Sequence, residues 1–206
     1  MNEKQHNHEP EAPHSPEADT LADTPRIWVG SLLDYNNGVL YGEWIDGTQD
    51  EDEIRDQITT MLGRSPTTAK YGDVAEEYGI FDFDGFEGLR IDQHDSLATV
   101  TALAQGVAEH GEAFALWADD IGTRYAAEHP EQFNNSYIGY YESEVAFAEE
   151  MWTDSGYQAQ LDQAVPEEMR GYVEFDVESW ARDMIMGGDV TCLDAEYGGV
   201  YVFWSV

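Results

Sequence analysis

Between Pro25 and Val206 the chain carries 37 carboxylates against eight basic side chains. Any fold it adopts must keep nearly all of these acids in water, because eight cations cannot neutralise 37 anions and an unpaired buried carboxylate is strongly unfavourable. A charged tail does not account for the imbalance. Residues 1–24 supply only Glu3, Glu9, Glu11, Glu17, Asp19, Asp23 and Lys4 to a total formal charge of −34. Residues 25–206 also hold all six Trp, twelve Tyr and eight Phe, enough apolar material to bury a core, which excludes a disordered acidic chain. The expectation is a folded, strongly anionic protein.

Residues 48–62, TQDEDEIRDQITTML, show how the two demands are met locally. Ile54, Ile58, Met61 and Leu62 recur at i, i+4, i+7 and i+8, the single apolar stripe of an amphipathic helix. Asp50, Glu51, Asp52 and Glu53 open this helix and Asp56 follows. Acids in a first turn gain about 0.3–1 kcal/mol each from the helix dipole, but four in succession repel one another and their i+3 and i+4 neighbours. That is more charge than the dipole asks for.

The rest of the chain reads as α+β. Residues 1–24 form an extension rich in His, Pro, Glu and Ser, expected to be disordered; its His6, His8 and His14 lack surroundings that would fix a metal geometry. IWVGSLL and VLYGEWID are predicted strands joined at a tight turn on Asn36-Asn37-Gly38. The acidic helix, a polar link GRSPTTAKYGD and a third strand in EEYGIFDFDGF complete an N-terminal α+β domain, 25–90. A helical middle domain, 91–134, follows. There Leu97, Val100, Leu103 and Val107 keep helical spacing behind a Ser96 or Asp95 cap. Phe114, Trp117, Ile121 and Tyr125 do the same after Gly111, leaving Glu112, Asp119 and Asp120 off the stripe. Residues 135–206 form a C-terminal α+β domain. It contains a strand SYIGYY, a capped helix bearing Glu144, Glu149, Glu150 and Asp154 outward, and a loop through Pro166. A helix on Val177, Trp180, Ala181, Met184 and Ile185 ends at Gly187-Gly188, and a terminal hairpin turns at Gly198-Gly199.

Chemistry-bearing motifs are scarce. The DFDG of residues 82–85 has the look of a calcium loop, but aligning Gly85 with that loop's obligatory glycine puts Ile80 and Ile91 where its terminal acidic ligands belong. There is no H-E-x-x-H, no Cys/His cluster, no G-x-S-x-G and no glycine-rich phosphate loop. Cys192 lies in an apolar stretch and reads as a core residue; a lone Cys also excludes an internal disulfide framework and fits a reducing, cytoplasmic location. The N-terminus has no apolar segment of a secretory signal, and no run approaches the ~18–20 apolar residues of a membrane span. No enzyme, cofactor or metal is selected by these residues. A polyanion is also a poor direct ligand for nucleic acid or anionic membrane; its natural partner is a basic surface.

Charge alone leaves two readings. A salt-adapted enzyme or ligand-binding domain would carry an acidic surface for solubility. A mimic of DNA would carry it for recognition: duplex DNA has two negative charges per base pair, so a dimer with about 68 formal charges matches roughly 34 base pairs.

Sequence pattern separates them. PRIWVGSLLDYNNGVLYGEWID resembles the N-terminal hairpin of the ArdA family of antirestriction proteins, through Tyr35, Asn36, Gly38, Leu40, Gly42 and Trp44. EEYGIFDFDGF is similar to a second family segment through Glu77, Tyr78, Ile80, Asp82 and Phe83. GYVEFDVESWARDMIMGGDV is similar to a third, through Tyr172, Val173, Glu174, Phe175, Ala181, Arg182 and Asp183, and GVYVF to the family's end. The blocks occur in family order over 26–206. The resemblance implies an elongated chain of three small domains, dimeric through the C-terminal one. It implies a non-catalytic inhibitor whose acids imitate DNA phosphates in the groove of the methyltransferase core of Type I restriction–modification enzymes, protecting incoming mobile DNA. Another DNA-binding protein is the alternative target. The acidic surface expected to do this comprises Asp50, Glu51, Asp52, Glu53 and Asp56; Asp119 and Asp120; and Glu142, Glu144, Glu149, Glu150 and Asp154. The motif positions Tyr35, Asn36, Gly38, Gly42, Trp44, Tyr172, Glu174, Arg182 and Asp183 are expected to be mostly structural.

Overall fold

A computed structural model describes residues 24–205; the N-terminal extension, apart from Thr24, lies outside them. Two three-stranded antiparallel sheets and ten α-helices alternate along the described residues. In the first sheet β1 (Arg26–Ser31) is central, flanked by β2 (Gly42–Asp46) and β3 (Tyr78–Asp84). Ile27, Val29, Ile45 and Ile80 point inward on alternating positions and are buried, as a half-covered sheet requires.

The link between β1 and β2 is not the tight hairpin turn expected from Asn36-Asn37-Gly38. The two strands do pair, Gly30 opposite Gly42 and Arg26 opposite Asp46, but the chain first makes a short helix, α1 (Leu32–Asn36), and Gly38 takes its positive φ of 77° just after it. Ser31 caps α1 by accepting the Asp34 N–H at 3.2 Å. The Asp34 carboxylate is fully buried, accepting the Ser65 hydroxyl at 2.7 Å and the Thr67 N–H at 2.9 Å. Burial alone would raise its pKa; hydrogen bonding involving Ser31, Thr67 and Ser65 outweighs it and brings the carboxyl down to about 2.

The acidic helix α2 runs Glu51–Leu62 with Ile54, Ile58, Met61 and Leu62 all buried. The polar link after it contains a helix the sequence reading passed over, α3 (Pro66–Tyr71), capped by Ser65 on the Thr68 N–H at 3.1 Å and opened by Pro66. Next come α4 (Leu97–His110), capped by Ser96, and α5 (Glu112–Ile121). Gly122, at φ 96°, then breaks the helix, so Tyr125 does not continue the Phe114–Ile121 stripe: it sits exposed on α6 (Thr123–Glu128). Helix α7 (Glu131–Ser136) runs across the expected 134/135 boundary into β4 (Tyr137–Tyr141).

The second sheet has the order β4, β6 (Val200–Trp204), β5 (Val190–Asp194), and the β5–β6 hairpin turns at Gly198-Gly199 as expected, both at positive φ. Helices α8 (Glu144–Asp154), α9 (Tyr157–Ala164) and α10 (Val177–Gly187) belong to this half. The loop expected around Pro166 holds α9 and a 3-10 helix, Glu167–Tyr172. Gly188 ends α10 in the left-handed conformation, with its N–H on the Ile185 carbonyl at 3.1 Å.

Buried side chains fall into two clusters. One runs from Ile27 through α2, α4 and α5 to Phe133 and includes Phe203, so residues 25–90 and 91–134 share a core. The other joins Phe147 and Ala148 of α8, Ala181 and Met184 of α10, and Val190, Val200 and Val202 of the sheet. No described helix is long and apolar enough to cross a membrane.

Candidate functional site

The surface is where the charge goes. Among the described residues Asp34 is the one fully buried acid, and only two carboxylates pair with an arginine: Asp84 with Arg26 at 2.7 Å, and Glu51 with Arg55. Both pairs lie at the surface, where screening leaves such contacts little net strength.

The first cluster is built by α2. Packing of Ile54 and Ile58 into the core forces Asp52, Glu53 and Asp56 outward, and all three are exposed with Asp50; Glu51 is half-buried beside Arg55. Asp50 stands at the N-cap position without making a side-chain capping bond. The second pair, Asp119 and Asp120, is exposed in the last turn of α5, opposite the buried Phe114, Ala115, Trp117 and Ala118. That turn holds no basic residue. An acid there meets the negative end of the helix dipole, which is unfavourable by about 0.3–1 kcal/mol at low ionic strength.

The third cluster lies on and before α8. Ser143 caps the helix on the Ala146 N–H at 3.1 Å, Phe147 and Ala148 face the second core, and Glu142, Glu144, Glu149, Glu150 and Asp154 are exposed. Asp154 ends α8, again with no basic residue in the last turn. The Tyr141 hydroxyl donates to Glu150 at 3.3 Å; burial first, then the charges of Glu150 and Asp154, push that phenol's pKa up. Glu142 and Glu144 line a shallow cleft with Asp194 from β5. Asp194 therefore joins this cluster, although it lies forty residues and more further along the chain and nothing local to it signals the contact.

The structure does not merge the three groups into one patch on one element. The first two lie over the first core and the third over the second. Across the three groups all the acids but Glu51 are exposed, and the Glu51–Arg55 pair is the one ion pair with an arginine.

The DFDG segment is strand and turn: Asp82 accepts the Phe83 N–H at 2.9 Å, and Asp84 is held by Arg26. No three His, Cys, Asp or Glu side chains converge as a metal site among the described residues. Cys192 packs against the second core, and burial, with Glu144 and Asp194 nearby, raises its thiol to about 11, far from the thiolate a nucleophile needs.

Comparison with known families decides the assignment. A model of the antirestriction protein (ArdA) family matches residues 27–198. The chain belongs to the ArdA family of antirestriction proteins. No curated relative matches it. Membership makes antirestriction its function, with restriction–modification enzymes as the class of target.

The family's motif positions divide by place in the fold. Gly42 sits where an added Cβ would lie 2.2 Å from the Val29 carbonyl oxygen, so only glycine fits the strand pair. Trp44 meets Trp28 edge-to-face at 5.8 Å, with the Arg26 guanidinium 4.8 Å above its ring. Tyr35 packs against Phe81 with ring centroids 5.0 Å apart and planes tilted by 35°, and stays more than half exposed, and Asn36 is exposed at the end of α1. In the C-terminal half Tyr172, Glu174, Arg182 and Asp183 are all exposed.

Proposed function

We propose that this member of the family inhibits Type I restriction–modification enzymes as a DNA mimic, its acids filling the DNA groove of the methyltransferase core. The observation that supports this reading is the acid at helix C-termini: Asp119 and Asp120 closing α5, and Asp154 closing α8, each exposed without a basic residue in its turn. Local folding gains nothing from these charges. A groove of Lys and Arg gains from them what it gains from phosphates: two surfaces release their counterions together.

The inhibition is stoichiometric, without catalysis. Three modules, 25–90, 91–134 and 135–206, make an elongated array, and two copies join through the C-terminal modules to present about 68 charges, the load of roughly 34 base pairs. The core common to the first two modules supports a stiff array, and stiffness favours a mimic because ordering charges on contact would reduce affinity. No single acid dominates. The clusters Asp50–Glu53 with Asp56, Asp119 with Asp120, and Glu142, Glu144, Glu149, Glu150 and Asp154 act as a field.

Plating unmodified phage on cells that carry a Type I system, with and without this chain, tests the reading. Restriction is relieved by the chain, and relieved less by a variant with Asp50 and Asp52 changed to Asn and Glu51 and Glu53 to Gln. Absence of relief across several Type I systems would remove the assigned target.

A further inference from the structure

The C-terminal half holds an aromatic cavity that the acidic surface does not explain. Trp152 of α8 lies flat on Phe175 with ring centroids 3.6 Å apart and 12° between planes. Trp180 of α10 stands at 76° to Trp152 and Tyr157 of α9 at 75° to Trp180, with centroids 5.8 and 6.1 Å apart. Three helices thus set rings at steep angles around an open cavity of about 530 Å³, which Gln160, Leu161 and Ala164 also line. Helix α9, which forms one wall, has no buried residue, so it covers the rings without sealing them.

Ring faces carry negative quadrupole charge, and a corner of rings offers two faces to one cation. The surroundings strengthen this. Exposed acids stand on each contributing element: Asp154 at the end of α8, Asp162 on α9, Asp176 and Glu178 at the start of α10. Two arginines of this chain lie near these elements. Arg170 donates to the Val165 carbonyl at 3.1 Å, Arg182 lies by Asp176, and neither lines the cavity.

We infer that this cavity receives an arginine side chain of the basic partner, its guanidinium stacked in the corner made by Trp152, Tyr157 and Trp180. Guanidinium is flat and weakly hydrated, so it enters an apolar, ring-walled space at less desolvation cost than a lysine ammonium. The inference rests on the proposed function for the partner being basic. It adds an anchoring point, where the acids supply only a diffuse field, and the residues that anchor interfaces are enriched in Trp, Tyr and Arg.

The test uses the full chain alone, so it stands or falls apart from the restriction assay. With tryptophan indoles labelled for NMR, N-ethylguanidinium is titrated at constant ionic strength, with N-ethylurea as the neutral ligand of the same shape. The indole N–H signals of Trp152 and Trp180 shift saturably in the millimolar range with the cation and not with the urea, while Trp28, Trp44, Trp117 and Trp204 hold still. Trp180→Leu weakens the response about tenfold and Trp180→Phe, which keeps a ring and the packing, by less. An equal response to N-ethylurea would make the cavity merely apolar and overturn the inference. So would no saturable shift at Trp152 and Trp180, or free-state signals that move with protein concentration, which would mean a second copy covers the rings.

Discussion

The carboxylate of Glu112 accepts the Tyr201 hydroxyl at 3.2 Å, and its other oxygen accepts the Glu196 N–H at 2.6 Å. An acid that opens α5 is thereby fixed to the β5–β6 hairpin, and with Phe203 in the first core it joins the two halves of the molecule. Glu112→Ala leaves a part-buried hydroxyl and an amide without their acceptor, a loss of about 1–3 kcal/mol, read as a lower midpoint in urea.

Tyr201 reports the same contact at high pH. Burial first, then Glu112, raises its pKa from 10.0 to about 12. A raised folded-state pKa means stability that is complete below pH 10 and lost as pH climbs toward about 12. Denaturation of the wild type and of Tyr201→Phe across that range shows the two converging at the alkaline end, the phenylalanine variant lacking this slope.

Asp34 gives the opposite sign. Its carboxyl is lowered from 3.8 to about 2, so its contribution is present above pH 3.8 and disappears as pH falls toward 2. Asp34→Asn is destabilised at pH 7 by about 1–3 kcal/mol, since the amide cannot accept both the Ser65 hydroxyl and the Thr67 N–H with the same strength. The gap between variant and wild type closes in acid. Comparing the two at each pH isolates Asp34 from the surface acids, whose protonation relieves repulsion throughout the molecule.

Neutralising Asp50, Glu51, Asp52 and Glu53 together leaves the fold intact. The variant loses the Glu51–Arg55 pair and favourable dipole contacts but sheds mutual repulsion, so its stability changes by no more than about 1 kcal/mol. Circular dichroism and thermal melting check this before any binding comparison is drawn from the variant.

A salt-adapted protein would unfold as salt is removed. Here two packed cores hold the chain, so the far-ultraviolet dichroism keeps its helical signal at about 0.01 M salt, where the Debye length reaches roughly 30 Å and repulsion is barely screened. Collapse of that signal would favour salt adaptation as the reason for the acids.

What could be read from the sequence was what local periodicity encodes. Ile54, Ile58, Met61 and Leu62 are buried as their spacing requires, and Asp52, Glu53 and Asp56, off that stripe, are exposed for the same reason. A cap at Ser96 or Asp95 and a capped helix in SEVAFAEEMWTDSG were legible from the residues at those positions, and the caps are Ser96 and Ser143. The burial of Asp34 was not legible, because its partners, Ser65 and Thr67, lie 31 and 33 positions away. Helix α3 did carry a local signal, Ser65 then Pro66 ahead of the Thr68 amide, hidden by its polar composition. Asp194 beside Glu144, and the rings of Trp152, Phe175 and Trp180, meet only through packing of distant elements, and no period within one helix announces them.

The central claim is that these acids take the place of DNA. The direct measurement is competition: purified protein titrated into a Type I methyltransferase bound to labelled DNA, at two salt concentrations. The account predicts displacement near stoichiometry that weakens steeply as salt rises, as DNA binding itself does. Failure to displace, or displacement indifferent to salt, would contradict it.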